Sequence, residues 1–502
     1  MKSIKSTLII KRIFEYIGDE NFKYKLFSYS KLYQKIFNIE LDDYIYQYLY
    51  NKKYERIYYN SPLFKKIISE DTIYLYQNNI KKNSNLSSDF DKKLDETKQK
   101  YLSLYYLFNN NKCIDDLKKF KIDYNKLQTM VFNEEHDYKP KGIQDYNYFF
   151  QSLFSIINTV KNNLILLKIF FDPKGDNRVE FKSFDLINNL KNLRCLYIRK
   201  INVINKTEIR LNNLKELYCG SCNNLSLSNI ICKNLEILIY QDNNLENLKD
   251  LENDNFKELK QIDLDLNNIS NINALKNVKF NKLEILNLNH NKISDIDILE
   301  NVNFNQLKIL GLYDNSILDI KVLEKVKFEK LERLYLNDNK ISNIDVLKNV
   351  NFKNLKCLSL YKNSITDIKV LKEVNFEKLE ELYLSFNNVS NIDIFQYTNF
   401  KQLKILNLTD NKISDISVFK KTKFKKLKIL KLNFNNITDI SSLKSDNFNE
   451  LEELNLFSNK FSINESDIQN FLNFKFLKKL DIGKSKIKKS ILKTLESRFN
   501  LY

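Results

Sequence analysis

The chain has 502 residues, 43% of them hydrophobic, and 81 Lys and Arg against 63 Asp and Glu, for a formal charge of +18. That is ample material for a continuous core, but 6 Gly and 3 Pro are too few for a fold with many sharp turns closed by those residues. No segment reaches 18 uncharged apolar residues, and 6 Cys in this length do not make a disulfide scaffold.

In chain order, "MKSIKSTLIIKRIFEY" starts basic but lacks the apolar stretch of a secretion signal. The expectation is an intracellular, cytoplasmic protein, with the nucleus open and no membrane insertion. Residues 1–160 show no repeat. Leu8, Ile9, Ile13, Phe14 and Ile17, then Phe22, Leu26, Tyr29, Tyr33 and Ile36, fall at helical spacing around a break at Gly18-Asp19. "YIYQYLYNKKYERIYYN" and "TIYLYQNNI" read as further amphipathic helices, as do Ile114–Phe132 and Gln144–Lys161. This part reads as a small all-helical domain.

From residue 164 the pattern changes. "LILLKIF" opens an irregular coil, and Leu193, Leu214 and Leu235 begin coils about 21 residues apart. Leu259, Leu283, Leu307, Leu331, Leu355, Leu379, Leu403, Leu427 and Leu451 then follow at an unbroken spacing of 24, with a looser coil at Leu477. About 13–14 coils fit in residues 164–490, and 490–502 read as a closing helix with Ile491, Leu492, Leu495 and Phe499 on its apolar side.

Within one coil, Leu286 and Leu288 are two apart and share the inner side of a strand. Ile293, Ile296, Leu299 and Val302 are three apart, which fits a 3₁₀-like return. Single units of this kind cannot bury their apolar side, whereas stacked units share one core. Phe256 and its equivalents every 24 residues to Phe448 should stack inside. Asn243, Asn267, Asn291, Asn315, Asn339, Asn363, Asn387, Asn411, Asn435 and Asn459 also recur in register. An Asn amide at a strand-to-turn corner can satisfy backbone donors and acceptors alike, so this column reads as a structural ladder that replaces Gly and Pro in turning the chain. The Ser or Thr of "ISD" and "ITD" reads as a cap on the return.

The pattern LxxLxLxxNxIxxIxxLxxVxF resembles the leucine-rich repeat, of the L domain-like, ribonuclease-inhibitor-like superfamily, and "NxISDIxxL" is most similar to the variety in bacterial internalins and in the phosphatase-one regulatory subunit. The resemblance implies an α/β fold: a right-handed solenoid, or horseshoe, with a parallel sheet on its concave face. Two departures are Cys222 and Ile201 at sites where Asn is expected. At about 6–40, "STLIIKRIFEYIGDENFKYKLFSYSKLYQKIF" is similar to an F-box, without its Leu-Pro start. That resemblance would imply docking to a ubiquitin-ligase adaptor and a role as substrate receptor; an ordinary helical cap over the first coil is the competing reading.

Outward positions on the concave sheet are the third, fifth, seventh and eighth of each coil. They carry Tyr197, Tyr218, Tyr335 and Tyr383 at the fifth, Tyr313, Tyr361 and Phe457 at the seventh, and Phe386 and Phe434 at the eighth. Tyr and Phe on an open sheet face are expected to bind a partner protein. Asp263, Asp265, Asn287, Asn289, Asp314 and Asp338 lie among them.

Signals for catalysis are weak. Cys219 and Cys222 form a CxxC on inward and Asn sites, with no second pair at zinc spacing. His136 and His290, the two histidines, have no nucleophile beside them in sequence, and no glycine-rich phosphate loop exists. The expectation is no enzyme, no cofactor and no metal. Between Lys475 and Arg498, nine cations face Asp481 and Glu496, which reads as a solubilising end because aromatics for base stacking are not interleaved. Lys also rises together with Asn, Ile, Tyr and Phe, as an A/T-rich coding sequence produces, so nucleic acid is not the expected partner.

Overall fold

The computed structural model describes residues 164–170, 179–205, 207–422, 424–483, 495 and 497–501, together with the backbone of 73–74, 102–107 and 129–133. Contacts divide the chain into two units, residues 1–180 with 184–200 and residues 181–183 with 201–502.

In the first unit, Ile73–Tyr74, Leu102–Leu107, Thr129–Asn133, Leu166–Phe170 and Cys195–Arg199 are parallel strands, with Ser103 opposite Thr129, Thr129 opposite Leu166 and Leu166 opposite Cys195. The expectation of helices at 72–80 and 114–132 is therefore corrected where strands fall within them, and an all-helical reading of 1–160 does not account for these segments. Short unbroken apolar runs such as "LSLYYL" and "TMVF" carry too little periodicity to separate strand from helix. The F-box-like stretch at 6–40 lies outside the described residues.

In the second unit, parallel strands follow one another coil by coil. From Gln261–Asp263 through Glu453–Asn455 each has three residues, in unbroken register: Leu286 opposite Leu310, Leu310 opposite Leu334, Leu334 opposite Leu358. These leucines are at most 1% exposed and form one interior column. The strand is short because the eighth position of each coil turns into left-handed backbone. His290, Asp314, Asp338, Lys362, Phe386, Asp410 and Phe434 all have φ between 50° and 56°. There the chain leaves the sheet.

The return is a 3₁₀ turn, as three-residue spacing predicts; Asp297–Asn301, Lys321–Glu324 and Asp345–Lys348 are examples. Its cap differs from the expected one. The carboxylate or amide oxygen of Asp295, Asp319, Asn343, Asp367, Asn391, Asp415 and Asp439 accepts the backbone N–H two residues on, at 2.7–2.8 Å. The preceding Ser or Thr, replaced by Leu318 before Asp319, is bypassed because an Asx side chain reaches its own turn at the shorter loop length. Behind the return, Phe256, Phe280, Phe304, Phe328, Phe352, Phe376, Phe400, Phe424 and Phe448 are at most 2% exposed. Phe280, Phe304 and Phe328 stack at 6.1 and 6.4 Å between centroids. Burial of each ring contributes about 1.5–3 kcal/mol.

The recurring asparagines tie coil to coil. Asn411 is typical: its Nδ2 donates to the Leu384 carbonyl of the preceding coil (2.9 Å) and to Leu408 (3.2 Å), while its Oδ1 accepts the Val389 N–H (3.0 Å). The same set recurs at Asn315, Asn339, Asn363, Asn387 and Asn435. Each sixth-position Leu carbonyl thus receives two amide donors, its own Asn and the next one, filling both lone pairs. Where Cys222 replaces Asn, its thiol donates to Gly220 (3.3 Å) and its N–H donates to Asn243 Oδ1 (2.7 Å), so part of the pattern persists.

A feature that sequence reading passed over runs along the second position. Lys215, Glu236, Lys260, Glu284, Lys308, Glu332, Lys356, Glu380 and Lys404 alternate in sign, and the sequence resumes with Lys428, Glu452 and Lys478. Pairs such as Lys215–Glu236 (2.6 Å), Lys308–Glu284 (2.8 Å) and Lys404–Glu380 (2.7 Å) close across neighbouring coils.

At the C-terminal end Asn464 and Asp467 form a reciprocal capping box on the helix Glu465–Leu472. Leu495 and Phe499 are buried, as expected of a closing segment, and Phe499 N–H donates to the Leu495 carbonyl. The chain then departs from the expected helix, because Asn500–Leu501 pairs as a parallel strand with Lys479–Asp481.

Candidate functional site: the open face of the sheet

The third, fifth, seventh and eighth side chains of each coil point away from the leucine core. The structure sorts the nine aromatics expected there into three groups. Tyr361, Phe386, Phe434 and Phe457 are exposed, at 36%, 51%, 48% and 42%. Tyr313, Tyr335 and Tyr383 are half-buried. Tyr197 and Tyr218 are buried, and these two are corrections to the expectation of a contact surface. Tyr197 lies beneath the Lys168 ammonium, 4.7 Å from its ring centroid. Tyr218 donates its hydroxyl to the buried Glu216 carboxylate (3.1 Å), which holds the ring down as part of the floor.

The exposed group has an unusual backbone. The eighth position needs φ near +53°, a conformation that Asp, Asn and Gly tolerate and bulky apolar residues do not. Asp242, Asp314, Asp338 and Asp410 obey that preference. Leu266, Phe386 and Phe434 do not, and each is also exposed, at 43% for Leu266. Phe434 packs edge-on to Phe457 at 5.4 Å, and Phe457 lies against Gly483, the one glycine in left-handed backbone among the described residues.

Between the tyrosines the sheet carries a polar cluster. Arg333 reaches over the small Cys357 and Ser359 of the next coil to Glu381 two coils away (3.3 Å), and Tyr383 donates its hydroxyl to the same carboxylate (3.3 Å). Gly311 leaves the Asn287 and Asn289 amides room: a Cβ there would stand 2.6 Å from Asn289 Oδ1. Asn289 Oδ1 in turn accepts the Tyr313 N–H (3.1 Å).

Toward the earlier coils the face is acidic. Asp263 is fully buried and accepts from Gln241 Nε2 (3.0 Å), Asn287 Nδ2 (3.1 Å) and the Asp265 N–H (3.0 Å). Burial raises its pKa against those donors. The Asp265 carboxyl is pushed up to about 7, first by burial, then by the Asp263 charge, with His290 opposing. His290 Nδ1 pairs with Asp314, and its ring packs edge-on to Tyr313 at 4.5 Å. Sequence reading found no nucleophile beside His290 and did not pair it with Asp314; the 24-residue offset between them was the available signal, since equal offsets place side chains on neighbouring coils.

Cys219, Cys222, Cys232 and Cys357 are buried free thiols, and burial pushes Cys232 and Cys357 up to about 12, so the nucleophilic thiolate is disfavoured. Among the described residues no helix is long and apolar enough to cross a membrane.

Comparison with known families matches "Leucine Rich repeats (2 copies)" at residues 329–373 and 377–421, and "Leucine rich repeat" at 281–298 and 401–461. No curated protein sequence matches the chain. Among solved structures, an internalin (inlF) of Listeria monocytogenes is 27% identical, with a TM-score of 0.49, covering 64% of this chain and 85% of the internalin. A TDR receptor is 15% identical at a TM-score of 0.50, covering 82% of this chain and 70% of the receptor, a likeness of fold. The matched repeats, the leucine column and the asparagine ladder lead to one conclusion: the chain carries leucine-rich repeats, matched within residues 281–461.

Proposed function

We propose that the protein is a non-catalytic scaffold that binds a partner protein on the open face of its repeat sheet. The observation that carries this is the group Leu266, Tyr361, Phe386, Phe434 and Phe457, exposed on one face, three of them held at a backbone conformation their side chains disfavour. Stability alone would favour Asp, Asn or Gly at those eighth positions, as Asp242, Asp314, Asp338 and Asp410 do in other coils. Rigid aromatics with few torsions to freeze are also the side chains that anchor interfaces.

Among the described residues the cysteines are buried free thiols and the His290 imidazole is engaged by Asp314. The test is affinity capture with the intact protein beside Phe386→Ala/Phe434→Ala/Phe457→Ala. A captured protein should be lost from the variant while its circular dichroism and urea midpoint stay unchanged. Retention of the same protein at equal yield would refute the assignment of this face.

A further inference from the structure

The open face and the whole chain differ in sign. From the coil at Leu214 to the coil at Leu331, the outward positions hold Glu216, Asp242, Asp263, Asp265, Asp314 and Asp338, against one cation, Arg333, on a chain of charge +18. Arg333 is itself committed to Glu381 (3.3 Å). Most of these acids are satisfied within the molecule: Asp338 pairs with Lys362 (2.6 Å) and Asp242 accepts from the Ser221 hydroxyl (2.6 Å). Asp265 is different. It is 7% exposed, and among the described residues its only hydrogen-bond donor is the backbone N–H of Leu266 (3.1 Å). Asp265 and Asp314 also face a single imidazole, His290, whose hydrogen bond goes to Asp314, so Asp265 has no cationic side chain bonded to it among the described residues.

The surroundings match one kind of side chain. Leu266, exposed beside Asp265, and the half-buried Tyr313 ring offer apolar surface near the carboxylates. A Lys or Arg side chain has an aliphatic stem for that surface and a charged head for the acids. Phosphate would be repelled by the same group.

We propose that the part of the open face around Asp265, His290 and Asp314 seats a Lys- or Arg-bearing extended segment of the partner protein, whose apolar side chains run on toward Tyr361 and Phe386. This rests on the reading of the open face as a protein-binding surface and adds its polarity: the cationic end at the earlier coils, the apolar end at the later ones.

The intact protein is titrated with acetyl-(Arg-Leu)₄-amide, with acetyl-(Glu-Leu)₄-amide and with a twelve-residue thymidine oligonucleotide, by isothermal calorimetry at low ionic strength. The arginine peptide should bind despite the net positive charge of the chain, and more tightly than either anionic probe. Asp265→Asn/Asp314→Asn should weaken it roughly tenfold, the loss of one charge-assisted contact. Asp297→Asn/Asp393→Asn, the same charge change on the return side, should leave it unchanged. Equal binding of the two peptides, preference for the oligonucleotide, or equal weakening by both double variants would overturn the proposal. If Phe386→Ala/Phe434→Ala releases the peptide while Asp265→Asn/Asp314→Asn does not, the open-face reading stands and the cationic assignment falls. If neither variant releases it, both fall.

Discussion

Replacing Asn411 by Ala tests the physical basis of the solenoid. The Asn411 amide gives Nδ2–H donors to Leu384 (2.9 Å), Leu408 (3.2 Å) and Thr409 (3.3 Å), and its Oδ1 accepts the Val389 N–H (3.0 Å) at a site 7% exposed. These losses are unequal. Leu384 and Leu408 each keep a second donor, from Asn387 (3.1 Å) and Asn435 (2.9 Å). The Val389 N–H loses its acceptor, and an orphaned buried N–H costs about 1–3 kcal/mol. Adding roughly 0.5 kcal/mol for each half-emptied carbonyl gives about 2–4 kcal/mol for the variant. Asn411→Asp keeps the acceptor but turns an oxygen toward the carbonyls, so it should be at least as damaging at neutral pH and recover as the carboxyl protonates. Asn388→Ala is the control, since the next position holds Lys, Ser or Asn in its neighbours. The assay is urea unfolding of the intact chain together with hydrogen exchange at the Val389 amide, because in stacked repeats the damage should concentrate at one coil junction. A loss under about 1 kcal/mol, or unaltered exchange at Val389, would refute the ladder as the main tie between coils.

The Asp265 carboxyl, raised to about 7 chiefly by burial, binds its proton more tightly in the folded state than in the unfolded chain. Its contribution is therefore fully present below the unfolded carboxylate pKa and is lost as pH rises through about 7. Asp265→Asn should accordingly gain stability over the natural chain between pH 5 and pH 8, by at most about 4 kcal/mol, read from thermal midpoints across that range; a constant difference would contradict it. Gly311→Ala forces a Cβ to within 2.6 Å of Asn289 Oδ1, which must swing away and release the Tyr313 N–H, so a loss of about 1–3 kcal/mol is expected in urea unfolding. Phe386→Gly removes a side chain from backbone at φ 53°, and should leave stability unchanged or raise it by about 1 kcal/mol while abolishing partner capture. Marked destabilisation would show that the ring serves the fold instead.

What could be read from the letters was whatever repeats at 24. The leucine and phenylalanine columns, the asparagine ladder and the three-residue rhythm of the return each recur at fixed offset, and a fixed offset in a stacked array becomes adjacency in space. Contacts made by a single coil were less legible. The burial of Tyr197 depends on Lys168, outside the regular series, and that of Tyr218 on Glu216 two residues away. The return was assigned its cap from Ser and Thr, yet Asp295 and its equivalents perform it, because both candidate types are adjacent and only turn geometry separates them. The strands at 102–107 and 129–133 lie in residues 1–160, where the sequence shows no repeat and the period that identified the others is missing.

The alternating second-position charges have a consequence for the length of the array. Excision of one 24-residue turn from the series between Lys215 and Lys404 would set two like charges shoulder to shoulder, whereas excision of two would leave every cation facing an anion. Lys404 beside Lys428 reverses the rule: deleting residues 403–426 would bring Glu380 against Lys428 and heal the mismatch. Electrostatically, then, the protein lengthens or shortens by doublets, and it holds one seam where an odd turn can be lost without penalty.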